Sequence, residues 1–353
     1  MTASSQNEGV RVESAPVCAL CGAGGVALFV GLRDRLFGAP GLWRLLRCSR
    51  CSMVWLDPRP IQEDIGRLYA TYYTHDSPGP GSKKWGLLRK ALKDSLLAAC
   101  FGYGALTAKP LHMAVGRVLS LIPPARDRVG GRVMWLDASR RGRLLDVGAG
   151  TGQFLADMRA LGWDVMGVEP DPAAAVAANQ SVVQGTLEEA HIQGKGFDVV
   201  TMNHVIEHVR DPIDTLRHCR RVLKDKGRLV LVTPNIQSLG RRWFGATWLH
   251  WDPPRHLFLF TPETLRSLAE AAGFQVVELR TSGRAASSAW NASAAIRRRG
   301  ALTPGSLQAV AERRSVRGLL FAIVENLLLN TLSCGEEIVL VATKGCSDVA
   351  GQA

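Results

Sequence analysis

The run Leu144-Leu145-Asp146-Val147-Gly148-Ala149-Gly150-Thr151-Gly152-Gln153-Phe154-Leu155 narrows the folds open to this chain more than any other stretch. It joins a short apolar segment to a three-glycine turn and then to the start of an amphipathic helix. Glycines remove the Cβ atom where backbone must turn sharply, and they let a ligand approach main-chain N–H groups closely. The run therefore reads as a nucleoside-binding turn, spaced Gly-x-Gly-x-Gly rather than the Gly-x-Gly-x-x-Gly of dinucleotide folds. One helix later, Asp164-Val165-Met166-Gly167-Val168 reads as a second strand. It ends in Glu169, about 20 residues beyond the glycines, where an acid can grip ribose hydroxyls. Gly196 to Met202 and Gly227 to Thr233 read as further buried strands, with Ile213 to Leu223 as a helix between them. Strands alternating with helices imply a parallel sheet.

Leu145 to Gly152, Glu169, Phe197-Asp198-Val199-Val200, Glu207-His208-Val209 and Val222-Leu223-Lys224 with Gly227 together resemble the class I S-adenosylmethionine-dependent methyltransferases, over roughly Arg143 to Lys344. Within that family the chain resembles the branch that holds ubiquinone-pathway O-methyltransferases and many small-molecule methyltransferases. The resemblance implies an α/β, Rossmann-like, seven-stranded mostly parallel sheet whose last strand, Glu337 to Thr343, returns antiparallel beside Val232. It also implies that the methyl donor, S-adenosylmethionine, lies over the carboxyl ends of the first strands. The donor's amino acid part is then expected against Asp146, Gly148, Ala149, Gly150 and Gly152, its ribose on Glu169, and its adenine near Thr186, Leu187 and Glu188. Glu188 and Glu189 each keep two readings, a bond to the adenine amino group or ordinary solvation. Asn203 and His204 follow the fourth strand, at the height where the donor's methyl group should face its acceptor.

A length of 353 residues exceeds one such domain and leaves room for a second unit. Apolar content of 46% with 21% charged residues is that of a folded protein, with only the two ends reading as disordered. No run of about 20 uninterrupted apolar residues occurs, and Met1 to Glu13 lacks the basic-then-apolar order of a secretory signal. A cytoplasmic location is expected, with contact at the inner face of the membrane as an addition. The net charge of +12 is compatible with nucleic acid, anionic membrane, an anionic substrate or a merely solvated arginine-rich surface.

Four of the eight cysteines form two pairs, Cys18-x-x-Cys21 and Cys48-Ser49-Arg50-Cys51. Each pair places two thiolates on one tight knuckle, and two knuckles complete a closed tetrahedron, the arrangement of structural Zn2+. The metal would supply folding energy to a small ribbon and no chemistry. Cys100, Cys219, Cys334 and Cys346 have no ligand spacing and read as incidental thiols. The ribbon continues through Met53 to Pro60 into a short helix from Ile61 to Tyr69. It resembles the zinc-binding lead-in of several bacterial methyltransferases of this branch. The turn-rich stretch His75 to Lys84 reads as a linker. These marks divide the chain into a zinc-ribbon module (14–73), a linker with amphipathic helices (74–140) and a methyltransferase domain (141–345) with a helical insertion at about 285–333. Trp85 to Ile122 has helical apolar spacing. Its helices are compatible with packing on their own domain, capping an acceptor pocket, meeting another subunit or lying on an anionic membrane. Val316 to Leu332, interrupted by Glu325 and Asn326, reads as a buried or partly interfacial helix. The oligomeric state is left open.

Methyl transfer from a sulfonium needs alignment and removal of a proton, and histidine suits the second task near neutral pH. His208 begins the helix after the fourth strand and is a candidate base or donor contact. The segment Trp248-Leu249-His250-Trp251-Asp252-Pro253-Pro254-Arg255-His256 crowds aromatic, imidazole, carboxylate and guanidinium groups together, as an acceptor-binding loop would. His256 is the first candidate base and His250 the next, with Trp251, Asp252 and Arg255 as substrate-binding groups. The Asn/Asp-Pro-Pro-aromatic turn of base amino-methylation does not stand after the fourth strand, which disfavours nucleic acid. The expected activity is O-methylation of a small or lipid-linked metabolite. Two alternatives stand beside it: an RNA methyltransferase whose zinc ribbon binds nucleic acid, and a non-catalytic zinc-containing adaptor.

Overall fold

The computed structural model describes residues 9–69, 83–104, 110–178, 181–190, 192, 196–303, 306–311, 313 and 315–345. Short strands open the chain: β1 (Val12–Glu13), β2 (Gly25–Leu32), β3 (Trp43–Cys48), β4 (Val54–Leu56) and β5 (Arg59–Pro60). Three helices follow, Lys83–Phe101, Pro110–Ser120 and Pro123–Arg132. The remaining strands are β6 (Arg143–Val147), β7 (Asp164–Glu169), β8 (Val182–Gln184), β9 (Phe197–Asn203), β10 (Leu223–Pro234), β11 (Phe258–Leu259), β12 (Phe274–Ser282) and β13 (Glu337–Lys344).

Seven of these form one sheet in the order β12-β13-β10-β9-β6-β7-β8. The pairs among β10, β9, β6, β7 and β8 are parallel, and β13 runs antiparallel to both neighbours with Val232 opposite Val339. The seven-stranded, mostly parallel α/β sheet expected from the sequence is thus present. Residues alternate between its two faces, as strand geometry requires. Leu229, Leu231, Ile338 and Leu340 face one apolar core, while Val230, Val232, Val339 and Val341 face the other. On the second face the sheet meets Leu96, Leu97, Phe101, Val129 and Val133 of the helices that precede it. Those helices therefore close the sheet.

The ribbon is joined to the sheet domain by backbone pairing. β2, β3 and β4 form a sheet with β11, in which Phe258 pairs with Trp55 and Leu259 with Val54. Trp43, Leu45, Trp55 and Leu56 share one buried cluster with Trp251, Phe258 and Phe260. A small ribbon buries too little apolar surface to stand alone, and here it borrows the core of the larger unit.

Several sequence expectations meet the structure in altered form. The short helix at 61–69 is one α-turn, Gln62–Ile65, followed by a 3-10 turn, Gly66–Tyr69. Residues 75–82 of the linker, the boundary at 73–74 and Cys346 lie outside the described residues. Lys83 and Lys84 are already helical. β12 and the Pro262–Ala271 helix were not read from sequence. β12 is an edge strand paired only with β13 and largely half-exposed, so it lacks a clean apolar alternation. Among the described residues no helix is long and apolar enough to cross a membrane.

Candidate active site

The glycine turn leaves β6 at the carboxyl edge of the sheet. Gly148, Gly150 and Gly152 have φ of 75°, 51° and 74°, left-handed backbone that disfavours other residues. A Cβ on Gly148 would lie 2.5 Å from Val205 Cγ2, and one on Gly152 2.9 Å from Ala178 Cβ, so packing alone requires both. Gly150 differs, since nothing lies within 4 Å of the position its Cβ would take. Space above this turn is where a ligand can touch main chain. Glu169, at the end of β7, accepts a 2.8 Å hydrogen bond from Gly150 N–H and a 2.9 Å bond from Asp171 N–H. The carboxylate is thereby aimed across the turn. Asp146 is buried beneath it and accepts from Thr201 Oγ1 at 2.6 Å. Burial, opposed by Thr201 and assisted by Glu169, pushes its pKa up to about 7.

Leu187 is buried and Ala149 N–H donates to Val168 O. Glu188 accepts from Thr215 Oγ1 at 3.1 Å and lies 3.7 Å from His218 Nδ1. Glu189 instead accepts from Thr186 N–H in its own turn.

At the end of β9, His204 has φ of 56°, an uncommon value for a non-glycine residue. Its ring is clamped on both sides, with Nε2 2.8 Å from Glu337 and Nδ1 3.2 Å from Glu207. Burial opposes the charge, but the two carboxylates outweigh it and raise the pKa to about 9. Glu337 also receives two 2.9 Å bonds from Arg284, and Glu207 accepts from Thr233 Oγ1 at 2.9 Å. Arg284 reaches Asn203 Oδ1 at 3.3 Å. Two cations and two anions thus balance around His204. Glu337 and Arg284 are additions the sequence reading missed. Their signal was an acidic pair, Glu336-Glu337, heading an otherwise apolar strand.

This clamp sets a pH dependence. A histidine raised from 6.5 to about 9 stabilises the fold fully below pH 6.5 and loses that contribution as pH rises through 9. The loss is on the order of 3 kcal/mol. Denaturant unfolding at pH 6.5 and 9.5 should show this fall, added to the one that buried Glu325, raised to about 10, makes in the same direction, and His204→Gln should lessen the slope by the histidine's share. His208, His250 and His256 titrate below this window. An equal slope in the wild type and the variant would reject the clamp.

The loop after β10 supplies His250 and His256. His250 stacks on His204 with ring centroids 6.1 Å apart, and its Nε2 is buried with no hydrogen-bond partner in the structure. Burial, with repulsion from His204, lowers its pKa to about 3. His256 is 2.8 Å from His250 O through Nδ1, and His208 Nδ1 is 3.1 Å from Arg255 O. Burial brings both to about 4, so these rings are neutral at physiological pH. One ligand atom each from Glu207, His208 and His256 lies within 4.8 Å of the others, a spacing that a metal ion can accept.

Arg255 was expected to touch substrate, and the structure encloses it instead. Its guanidinium gives Asp34 two 2.9 Å bonds, and its Nε is 3.1 Å from Asp252, with no side-chain surface exposed. Its Cζ sits 4.4 Å above the Phe37 ring. Trp251 is likewise buried, edge-on to Phe29 at 4.7 Å and donating Nε1–H to Gly245 O. Every donor edge of Arg255 is taken, so Asp252, Arg255 and Trp251 brace the loop from behind.

The two knuckles bring Cys18, Cys21, Cys48 and Cys51 together, with Sγ–Sγ separations of 3.5 Å (18 to 51), 3.4 Å (21 to 48) and 3.6 Å (21 to 51). Arg50 and Cys51 N–H groups point at Cys48 Sγ, both at 3.4 Å. Zinc–thiolate bonds of about 2.3 Å give a tetrahedral edge of about 3.8 Å, close to these spacings.

Residues 121–279 match a family described as a methyltransferase domain. A ubiquinone biosynthesis O-methyltransferase of Cereibacter sphaeroides is 36% identical over 151 residues, covering 38% of this chain and 61% of that protein. One from a Ruegeria species is 32% identical over 186 residues, covering 48% of this chain and 75% of its own length. A SAM dependent methyltransferase structure from Archaeoglobus fulgidus aligns at TM-score 0.39 and 21% identity, over 58% of this chain and 86% of that one. The chain thus spans about three-fifths of the length of the Cereibacter relative.

Proposed function

We infer, since this chain belongs to the class I S-adenosylmethionine-dependent methyltransferases, that it moves the methyl group of S-adenosylmethionine to an oxygen of a small or lipid-linked metabolite. The observation that carries this reading is the open backbone at Gly150 facing the aimed carboxylate of Glu169. The O-methyltransferase names of the relatives support oxygen as the acceptor atom.

When bound, the donor supplies an electrophilic methyl on a sulfonium. Gly148, Gly150 and Gly152, with Asp146 and Ala149 behind them, would hold its amino acid part by main chain. Glu169 would take the ribose hydroxyls, since a carboxylate has about four acceptor positions and the two amide bonds leave its direction fixed. Leu187 and Glu188 would border the adenine, and Asn203 and His204 the methyl. His204 is a poor proton acceptor, because both ring nitrogens face carboxylates and the ring is already charged. His250 is neutral and stacked on His204 with Nε2 unpaired in the structure, which places it to take a hydrogen bond from the acceptor hydroxyl, in preference to His256, whose imidazole anchors the His250 backbone. With its pKa lowered to about 3 it orients that hydroxyl, and alignment with the donor methyl carries the transfer. His208 holds the Arg255 carbonyl in the same way.

The four-thiol cluster fits structural Zn2+, with every position of a tetrahedron filled by sulfur and none left for water. In this reading the protein works in the cytoplasm.

Glu169→Ala tests the donor site. Loss of charge-assisted hydrogen bonds should weaken S-adenosylhomocysteine binding by about 1 to 3 kcal/mol in calorimetric titration. Unchanged affinity would remove the ribose role.

A further inference from the structure

The Val316–Leu332 helix carries its apolar stripe on the outside. Val316, Leu319, Leu320, Ile323, Val324 and Leu327 follow the i, i+3, i+4, i+7, i+8, i+11 spacing of one helical face, and their exposure runs from 47% to 75%. The opposite face carries the packing. Phe321 lies 4.7 Å from Trp290 of the Ala286–Arg299 helix, while Gly318 approaches Asn291 so closely that a Cβ would come within 2.8 Å of Oδ1. The stripe is therefore not needed by the chain's own core. Contiguous exposed apolar surface of this kind marks a contact site.

Its surroundings say what covers it. Between Arg284 and Gly335 the sequence has seven arginines and two acids, Glu312 and Glu325. Glu325 is buried, and Arg297, Arg298, Arg299, Arg313 and Arg317 are exposed. Asn291 Nδ2 donates to Arg313 O at 2.6 Å, which ties the start of the apolar helix to the arginine-bearing helix. Arg297 lies 5.0 Å over the Phe244 ring, and the neighbouring Trp243, 59% exposed, is 5.8 Å from Trp290. The leucine stripe, the exposed Trp243 and the exposed arginines thus stand on elements that pack together around Trp290.

We propose that this surface binds an anionic phospholipid bilayer, with the Val316–Leu332 helix lying in the interface. Apolar side chains enter the acyl boundary, arginines meet phosphate headgroups, and Trp243 sits at the headgroup level. A second copy of the chain would cover the leucines and offer the arginines no anionic partner. Nucleic acid would use the arginines and leave the leucines in water. The proposal does not depend on which acceptor is methylated.

The test is flotation of the full chain with vesicles of phosphatidylcholine alone and of phosphatidylcholine with about 30% phosphatidylglycerol. Binding to the anionic vesicles should be at least tenfold tighter and should fall with salt. The double variant Leu319→Glu and Leu327→Glu should lower it at least tenfold with the melting temperature unchanged. Arg297→Gln, Arg298→Gln and Arg299→Gln together should remove the preference for anionic lipid. Failure to float with anionic vesicles would overturn the proposal. So would a wild-type dimer that the leucine variants convert to monomer, or vesicle binding that neither variant set changes.

Discussion

Arg255→Ala is expected to destabilise the protein by about 3 to 5 kcal/mol, the cost of leaving buried charge without its partner. The guanidinium is shared between Asp34 of the ribbon and Asp252 of the loop, none of the three being solvated. Removing it leaves two buried carboxylates facing each other. Their pKa values would then rise above the unfolded value near 3.8, so protonation would favour the folded state. The loss should accordingly be larger at pH 8 than at pH 5, as read by urea unfolding. Arg255→Lys should rescue little, because one ammonium cannot give paired bonds to both carboxylates. The combined variant with Asp34→Asn and Asp252→Asn should recover part of the stability. A loss below about 1 kcal/mol with no pH dependence would show the triad to be solvated and weak.

On the zinc site proposed for the four thiols, Cys48→Ser is expected to abolish metal binding and unfold the ribbon, since a structural zinc contributes on the order of 10 kcal/mol in small metal-held domains. Trp43 and Trp55, both buried in the ribbon sheet, should then redden in fluorescence. The consequence reaches the site through backbone pairing. β4 holds β11, and β11 ends the loop that carries His250 and His256. The glycine turn lies on the other branch of the fold and receives no strand from the ribbon. S-adenosylhomocysteine binding should therefore survive while turnover is lost. A metal content of about one zinc per chain in the wild type, absent from the variant, would accompany this. Retained turnover in a zinc-free chain would detach the ribbon from the site.

The parts of this fold legible in the sequence are those written in local pattern. The apolar run ending at Val147, the glycine spacing and the acid at Glu169 lie within 30 residues and point to one supersecondary unit. The two cysteine knuckles are equally local. Long-range pairings were not legible, because nothing near Arg255 in sequence announces Asp34, 221 residues away. The same holds for His204 and Glu337, separated by 133 residues. A charged residue in an aromatic loop reads as a substrate contact until the buried partner that neutralises it is known. β11 is two residues long and its role as a ribbon strand depends wholly on Val54 and Trp55. The Val316–Leu332 helix shows a further limit, since an apolar stripe has the same spacing whether it faces a core or water.

Methyl transfer to a small or lipid-linked acceptor is read out by following radiolabelled methyl from S-adenosylmethionine into a fractionated extract of the source cell. The Glu169→Ala protein, at limiting donor, serves as control. Label is expected in the small-molecule or lipid fraction, resistant to nuclease and strongly reduced with Glu169→Ala. Label released by nuclease, or no transfer by a chain that binds S-adenosylhomocysteine, would contradict it.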